Sequence, residues 1–269
     1  LILAQTLLNE AVALWRNLDD KPSLAIGLGD LARLIGKHRV AATRPILAES
    51  LSLSRELGDR RGIATALTEL GFLAMCEGDH DAAHALLTEG LGIREQLGDR
   101  RGTGTARHLL GVLALMRGDY QTARTELELS RSLLTGASGR QGLAATLNRL
   151  GELSAHEGDL AVAEQLHHEA TSIARELRDK DVLAWSLKDL GRLARARGNE
   201  HHAVELFRES LVLRGEQGHA WAIAVCLCEL GESAARLDQP ERAARLFAAA
   251  EAIRASSGAL PSVGDPSGY

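Results

Sequence analysis

At 269 residues with a net charge of −5, the chain is longer than one ordinary domain, and sequence-independent nucleic-acid binding, which needs a strongly basic surface, is excluded. Apolar residues make up 45% but aromatics only 3%, so any core is built from Leu, Ala, Ile and Val. No apolar run approaches the ~20 residues that span a bilayer, and the Leu-rich start, Leu1 to Leu8, has neither a basic flank nor a cleavage site.

In chain order, residues 1–18 read as a lone helix whose Leu7-Leu8-Asn9-Glu10-Ala11 aligns with Leu86-Leu87-Thr88-Glu89-Gly90 further on. Six helical hairpins follow, at 19–58, 59–98, 99–138, 139–178, 179–218 and 219–256, and a Gly/Pro/Ser-rich tail at 257–269. A Leu-Gly pair marks the first helix of each: Leu28-Gly29, Leu70-Gly71, Leu110-Gly111, Leu150-Gly151, Leu190-Gly191 and Leu230-Gly231. The last five pairs are forty residues apart. Seven residues later come Gly36, Gly78, Gly118, Gly158, Gly198 and Asp238; twelve later, Ala41, Ala83, Ala123, Ala163, Ala203 and Ala243. Nineteen later stand Ala48, Gly90, Ser130, Ala170, Ser210 and Ala250.

The physical reason for small columns is close approach, since packed helices lie ~8–10 Å apart. The glycine of the first helix (A) and the alanine of the second (B) should meet within one hairpin, and the later small residue should meet the next hairpin. Gly-Asp pairs such as Gly78-Asp79 and Gly158-Asp159 should end one helix in the left-handed region and cap the next. Each hairpin leaves an apolar face that a neighbour covers, so the expected fold is all-α, a solenoid of antiparallel helix hairpins.

The order Leu-Gly, Gly-Asp, Ala and small residue resembles the tetratricopeptide repeat, whose usual period is ~34 residues. Its usual early aromatic is replaced here by Leu67, Arg107, Leu147, Leu187 and Leu227, its later aromatic survives as Phe207 and Phe247, and its closing proline is missing. The long repeats with Leu-Gly-Asp-Arg-Arg-Gly turns at 57–62 and 97–102 resemble the sensor arms of bacterial signal-transduction ATPases and transcription regulators, the maltose-regulator type among them. The resemblance implies a right-handed superhelix and a cytoplasmic, non-catalytic arm that binds a protein or peptide along its helices A. The uncapped ends suggest a piece of a larger protein; no phosphate loop or recognition helix occurs in it.

Carrying over the family's groove offsets places Phe72, Met75, Val112, Leu115 and Met116 in an exposed apolar band, with His108 in the same groove. Asn148, Glu152 and His156 follow, then Trp185, Lys188, Arg192 and Arg195, then Glu232 and Arg236. Lys188, Arg192 and Arg195 share a helical face beside Trp185, a pattern suited to an acidic partner with an apolar anchor. A solvated basic face explains the same spacing, and a one-residue shift in register would put Met75 and Met116 in the core.

A small-molecule inducer gripped by Trp185, His108, His156 and Asn148 is the alternative to a protein partner, and self-association through the open ends is another. No metal or cofactor is expected. His80 and His84 are four apart, a spacing that could share a metal, but Asp81 stands where His-Glu-x-x-His has its Glu, while His167-His168 and His201-His202 read as solvent-facing. Cys76, Cys226 and Cys228 read as small buried hydrophobes, and the acidic residues as helix ends and exposed faces. No nucleophile elbow or carboxylate pocket is recognisable, so no enzyme is expected.

Overall fold

The computed structural model describes residues 2–35 and 40–257. They form α-helices and no strand: α1 (Ile2–Asn17), α2 (Lys21–Ile35), α3 (Val40–Glu56), α4 (Arg60–Cys76), α5 (His80–Gln96), α6 (Arg100–Met116), α7 (Tyr120–Leu133), α8 (Arg140–His156), α9 (Leu160–Leu177), α10 (Lys180–Ala196), α11 (Glu200–Gln217), α12 (Ala220–Arg236) and α13 (Pro240–Ser257). The chain divides into a first unit, Leu1–Leu133, and a second, Leu134–Tyr269. Within each unit every helix packs on the next, most extensively within the pairs α2/α3, α4/α5, α6/α7, α8/α9, α10/α11 and α12/α13. The expected all-α hairpin solenoid of tetratricopeptide type is therefore what this sequence adopts. The tail at 258–269, Leu1, Gly36 and the side chain of Ala41 lie outside the described residues.

The turns follow from their residues. Gly58, Gly78, Gly98, Gly118, Gly158 and Gly198 all have positive φ, the conformation glycine adopts without steric cost. The next residue caps the following helix: Asp79 accepts from the Ala82 N–H at 3.0 Å and Asp159 from the Val162 N–H at 3.0 Å. Where glycine is lacking, Arg178 and Asp238 take the same positive φ.

The small columns work differently from the expectation in two respects. What lies over the helix-A glycine in the last five hairpins is a large side chain of helix B, whereas Gly29 meets only Ser50 Oγ. A Cβ on Gly71 would sit 2.7 Å from Leu87, on Gly111 2.7 Å from Leu127, and on Gly191 2.5 Å from Phe207. The alanine contributes its backbone, since the same Cβ on Gly71 would lie 3.4 Å from the Ala83 carbonyl oxygen. The later small column faces helix A of its own hairpin as well as the next one, where Ser210 Oγ lies 3.4 Å from Cys226 Sγ on α12. Gly90 lies against Ala64, Leu67 and Thr68, and Ser130 and Ser210 donate to the carbonyls of Gly104 and Ala184; in the first hairpin Ser50, two residues beyond Ala48, takes this place and donates to the Ala25 carbonyl. A serine hydroxyl is small enough for the crossing and finds its acceptor there, so it is buried at little cost.

In the first unit Leu47, Leu67, Leu70 and Leu73 form one aliphatic cluster. In the second, Phe207 is wholly buried against Ala203 and Leu230. α1 packs on α2 through Val12, Leu8 and Trp15, while Leu3, Leu7, Leu14 and Leu18 stay exposed. Ion pairs about 33–36 residues apart, such as Arg55–Glu89 and Lys180–Glu216, link neighbouring helices on the outside.

Burial corrects three readings of residue type. Cys226 is buried, but Cys76 and Cys228 are only half-buried. His167 is 1% exposed, whereas His168, His201 and His202 do face solvent. Asp189 and Glu229 are buried acids, not surface ones.

Candidate partner-binding face

In the first unit the expected apolar band is not an exposed one. Met75 is fully buried and Val112 is 4% exposed. Met75 falls four residues after Gly71 and eight after Leu67, so it continues the stripe that presses into the core. Phe72, His108, Leu115 and Met116 are half-buried along α4 and α6. This face is neutral and closely covered by its own packing.

In the second unit α8, α10 and α12 carry an ordered array of charges. Arg149 on α8 pairs with Glu152 at 2.9 Å and lies over the Trp185 ring, 4.1 Å from its centroid. On α10, Lys188 and Arg192 flank Asp189 at 3.3 and 3.6 Å. Arg192 then reaches Glu229 on α12. Arg195 is the hub of this end, pairing with Glu229 at 2.9 Å, Glu232 at 2.6 Å and Glu200 at 3.4 Å. It also donates to the Glu229 carbonyl oxygen at 2.7 Å and covers the Phe207 ring. Burial pushes the Glu152 carboxyl above its usual range; the Asp189 charge adds to this, and Arg149 and Lys188 oppose it.

The basic trio is therefore real as a cluster but not as a free basic face. Lys188 is 6% exposed and, like Arg192 and Arg195, answers an internal carboxylate. What solvent reaches is Glu232 and Arg236, the outer part of Arg192 and the edge of Glu152. Arg192, Arg195, Ala196, Glu229, Glu232 and Arg236 line one open recess. His156 is exposed at the end of α8, and Trp185 is half-buried with its Nε1 lacking a hydrogen-bond partner.

Asn148, expected in the groove, is wholly buried. Its Oδ1 accepts from Ser186 Oγ at 2.8 Å and faces His167 Nδ1 at 3.0 Å. An inducer could not be gripped by this amide, because the protein already uses it. Among the described residues, no group of three or more His, Cys, Asp or Glu side chains is placed to hold a metal ion.

Arg149, Asp189 and Glu229 are the members of this array that groove offsets miss. A signal for them does exist, because each stands two residues before a repeat glycine, forty residues apart. A charged column beside the Leu-Gly pair, positive on α8 and negative on α10 and α12, marks buried ion pairing along the helices A.

Comparison with known proteins agrees with this geometry. No curated protein matches the sequence. Solved structures match in fold at low identity. BtubC (BKLC) from P. vanneervenii superposes with a TM-score of 0.65 at 19% identity, covering 83% of this chain and 92% of its own. The Cut9-Hcn1 hetero-tetramer of APC/C gives 0.75 at 16% identity, over 97% of this chain and 45% of the other. A Rap protein complexed with Competence and Sporulation Factor gives 0.74 at 17%, over 95% and 70%. A family model for the tetratricopeptide repeat matches residues 62–135 and 142–216, more than half of the sequence. With hairpins, glycine turns and small columns in the same register, the chain belongs to the tetratricopeptide repeat family.

Proposed function

We propose that this chain is a binding scaffold for a protein or peptide segment, and that the partner lies on the α8/α10/α12 face of the second unit. The observation that carries this reading is the charge array itself. Arg149 is held by Glu152, and Asp189, Arg192, Arg195 and Glu229 by one another, just beneath the face of three successive helices A, with Glu152, Glu232 and Arg236 at the open edge. Burying charges is costly unless they are paired, and a hydrophobic column would pack as well at lower cost. Side chains already immobilised lose little entropy when a partner arrives, and fixed charges reject mismatched partners.

Because each buried cation has an internal carboxylate, the face suits a segment of mixed charge better than a purely acidic one. Trp185, stacked on Arg149, supplies an apolar surface beside it. The forty-residue repeats support a finer reading, in which the scaffold is the sensor or interaction arm of a larger bacterial signalling or transcription-regulatory protein. The Rap protein, solved with Competence and Sporulation Factor bound, offers a precedent for this fold holding a signal.

Affinity capture tests the site. The chain and a Glu232→Arg/Arg236→Glu variant are immobilised and exposed to the same lysate. Both positions are solvent-exposed, and although the variant gives up the Arg195–Glu232 pair, Arg195 keeps Glu229 and Glu200. The loss of stability should therefore stay at about 1 kcal/mol, and the variant should remain folded at room temperature. A protein kept by the first and lost by the second is the expected result. Equal retention of every captured protein would move the site elsewhere.

A further inference from the structure

Sixteen residues after each of the last five repeat glycines stands the side chain that lies over it: Leu87, Leu127, His167, Phe207 and Phe247. Four of these are apolar, and one is an imidazole. A Cβ placed on Gly151 would lie 2.7 Å from His167 Nε2, so this nitrogen rests directly on the backbone of α8. The opposite nitrogen, Nδ1, is 3.0 Å from Asn148 Oδ1 and donates to it. That oxygen also faces Ser186 Oγ at 2.8 Å, and Asn148 Nδ2 donates to the Val182 carbonyl oxygen at 3.4 Å. A single buried amide therefore clasps α8, α9 and α10, and a neutral imidazole with its proton on Nδ1 completes the clasp.

A second proton would have to sit on Nε2, pressed against α8. The charged groups around it do not compensate. Asp189 on α10 favours the imidazolium, but its carboxylate is shared with Lys188 and Arg192. Lys188 itself and His168 on α9 oppose it, and α8 adds Arg149 and Glu152, which are paired with each other. Burial, the largest influence, holds the imidazole below its ordinary value.

We propose that His167 makes the second unit acid-sensitive: protonation drives the ring off Gly151, undoes the Asn148 clasp, and loosens α8 and α9 from α10. The clasp and its opening stand whether or not the charged face binds a partner. An unfolded histidine titrates near 6.5. Above that value neither state gains a proton and the clasp is at full strength. Below it the opened form takes up a proton that the closed form refuses, so opening grows about tenfold per pH unit until the lowered folded value is reached.

The test is amide hydrogen exchange in α8 and α9 of the whole chain at pH 7.5 and 5.5, corrected for intrinsic rates. The native protein is compared with His167→Leu and His167→Gln. Leucine already fills this place in two hairpins, and glutamine retains a donor for Asn148 without titrating. The native protein should show opening several-fold, at most about tenfold, more frequent at pH 5.5, and both variants should change less than twofold. Glu152 shifts in the opposite sense, gaining protons more readily when folded, and it is common to all three proteins. The proposal fails if the native protein is as flat as the glutamine variant, or if the variants open with acid as steeply as it does.

Discussion

The two units share a skeleton and differ in what they hang on it. In both, a glycine of helix A lies under a large residue of helix B, a positive-φ residue ends helix A, and small residues line the hairpin crossing. Yet the first unit places Thr68, Phe72, Met75 and Val112 at helix-A positions where the second places Lys188, Glu152, Arg192 and Arg195. The first unit's residues are drawn into the core or half-covered, and the second unit's are locked into ion pairs. Columns that set the distance between helices tolerate little change, because packing responds to a single methylene. Columns on the face are free to differ, and there the two units have diverged from neutral to charged.

The largest expected difference lies in the ion pairs. Glu229→Gln leaves Arg192 and Arg195 facing each other without their shared carboxylate in a nearly buried setting. It should cost about 3 kcal/mol in urea unfolding. Glu89→Gln in the first unit removes a pair whose side chains are both half-exposed, Arg55–Glu89, and should cost under ~1 kcal/mol. Equal costs would erase the distinction between a structural array and a surface pair.

A smaller difference is expected at the glycines. Gly191→Ala drives a methyl into the edge of the Phe207 ring, which is wholly buried and covered by Arg195, and should cost about 2 kcal/mol. Gly71→Ala meets Leu87, which is equally buried but smaller than the rigid Phe207 ring, and should cost about 1 kcal/mol after the gain in helix propensity. Thermal unfolding of the two variants checks the order, and the reverse order would show that ring and aliphatic columns are equally adaptable.

The caps should not distinguish the units at all. Asp79→Ala and Asp159→Ala each remove a side-chain acceptor 3.0 Å from a first-turn N–H, and each should cost about 1 kcal/mol. A gap between them greater than ~0.5 kcal/mol would mean that a cap is coupled to something beyond its own turn.

The fold was legible because its determinants are local and repeated. Glycine followed by aspartate ends one helix and starts the next at Gly58, Gly78, Gly98, Gly118 and Gly158, and although Gly29-Asp30 lies inside α2, six Leu-Gly repeats leave little choice of architecture. The face was only partly legible. Lys188, Arg192 and Arg195 could be read as one helical stripe from their spacing, but not as already paired, since Asp189 and Glu229 lie on residues that the groove offsets skip. Met75 and Val112 have the chemistry of a binding band and the burial of a core, and spacing alone does not separate the two. His167 read as a surface residue because its neighbour His168 is one.

By itself, then, the sequence determined the hairpins, their turns and their small contact columns, since backbone conformation and helix periodicity act within a few residues. Tertiary structure decided which charges meet and which polar groups are sealed away. Arg192 finds Glu229 thirty-seven residues on, and Asn148 finds both His167 and Ser186, contacts that exist only once three helices are side by side. The physical reason is that an ion pair or a buried hydrogen bond depends on ångström distances and on the exclusion of water, and these arise from packing rather than from residue order.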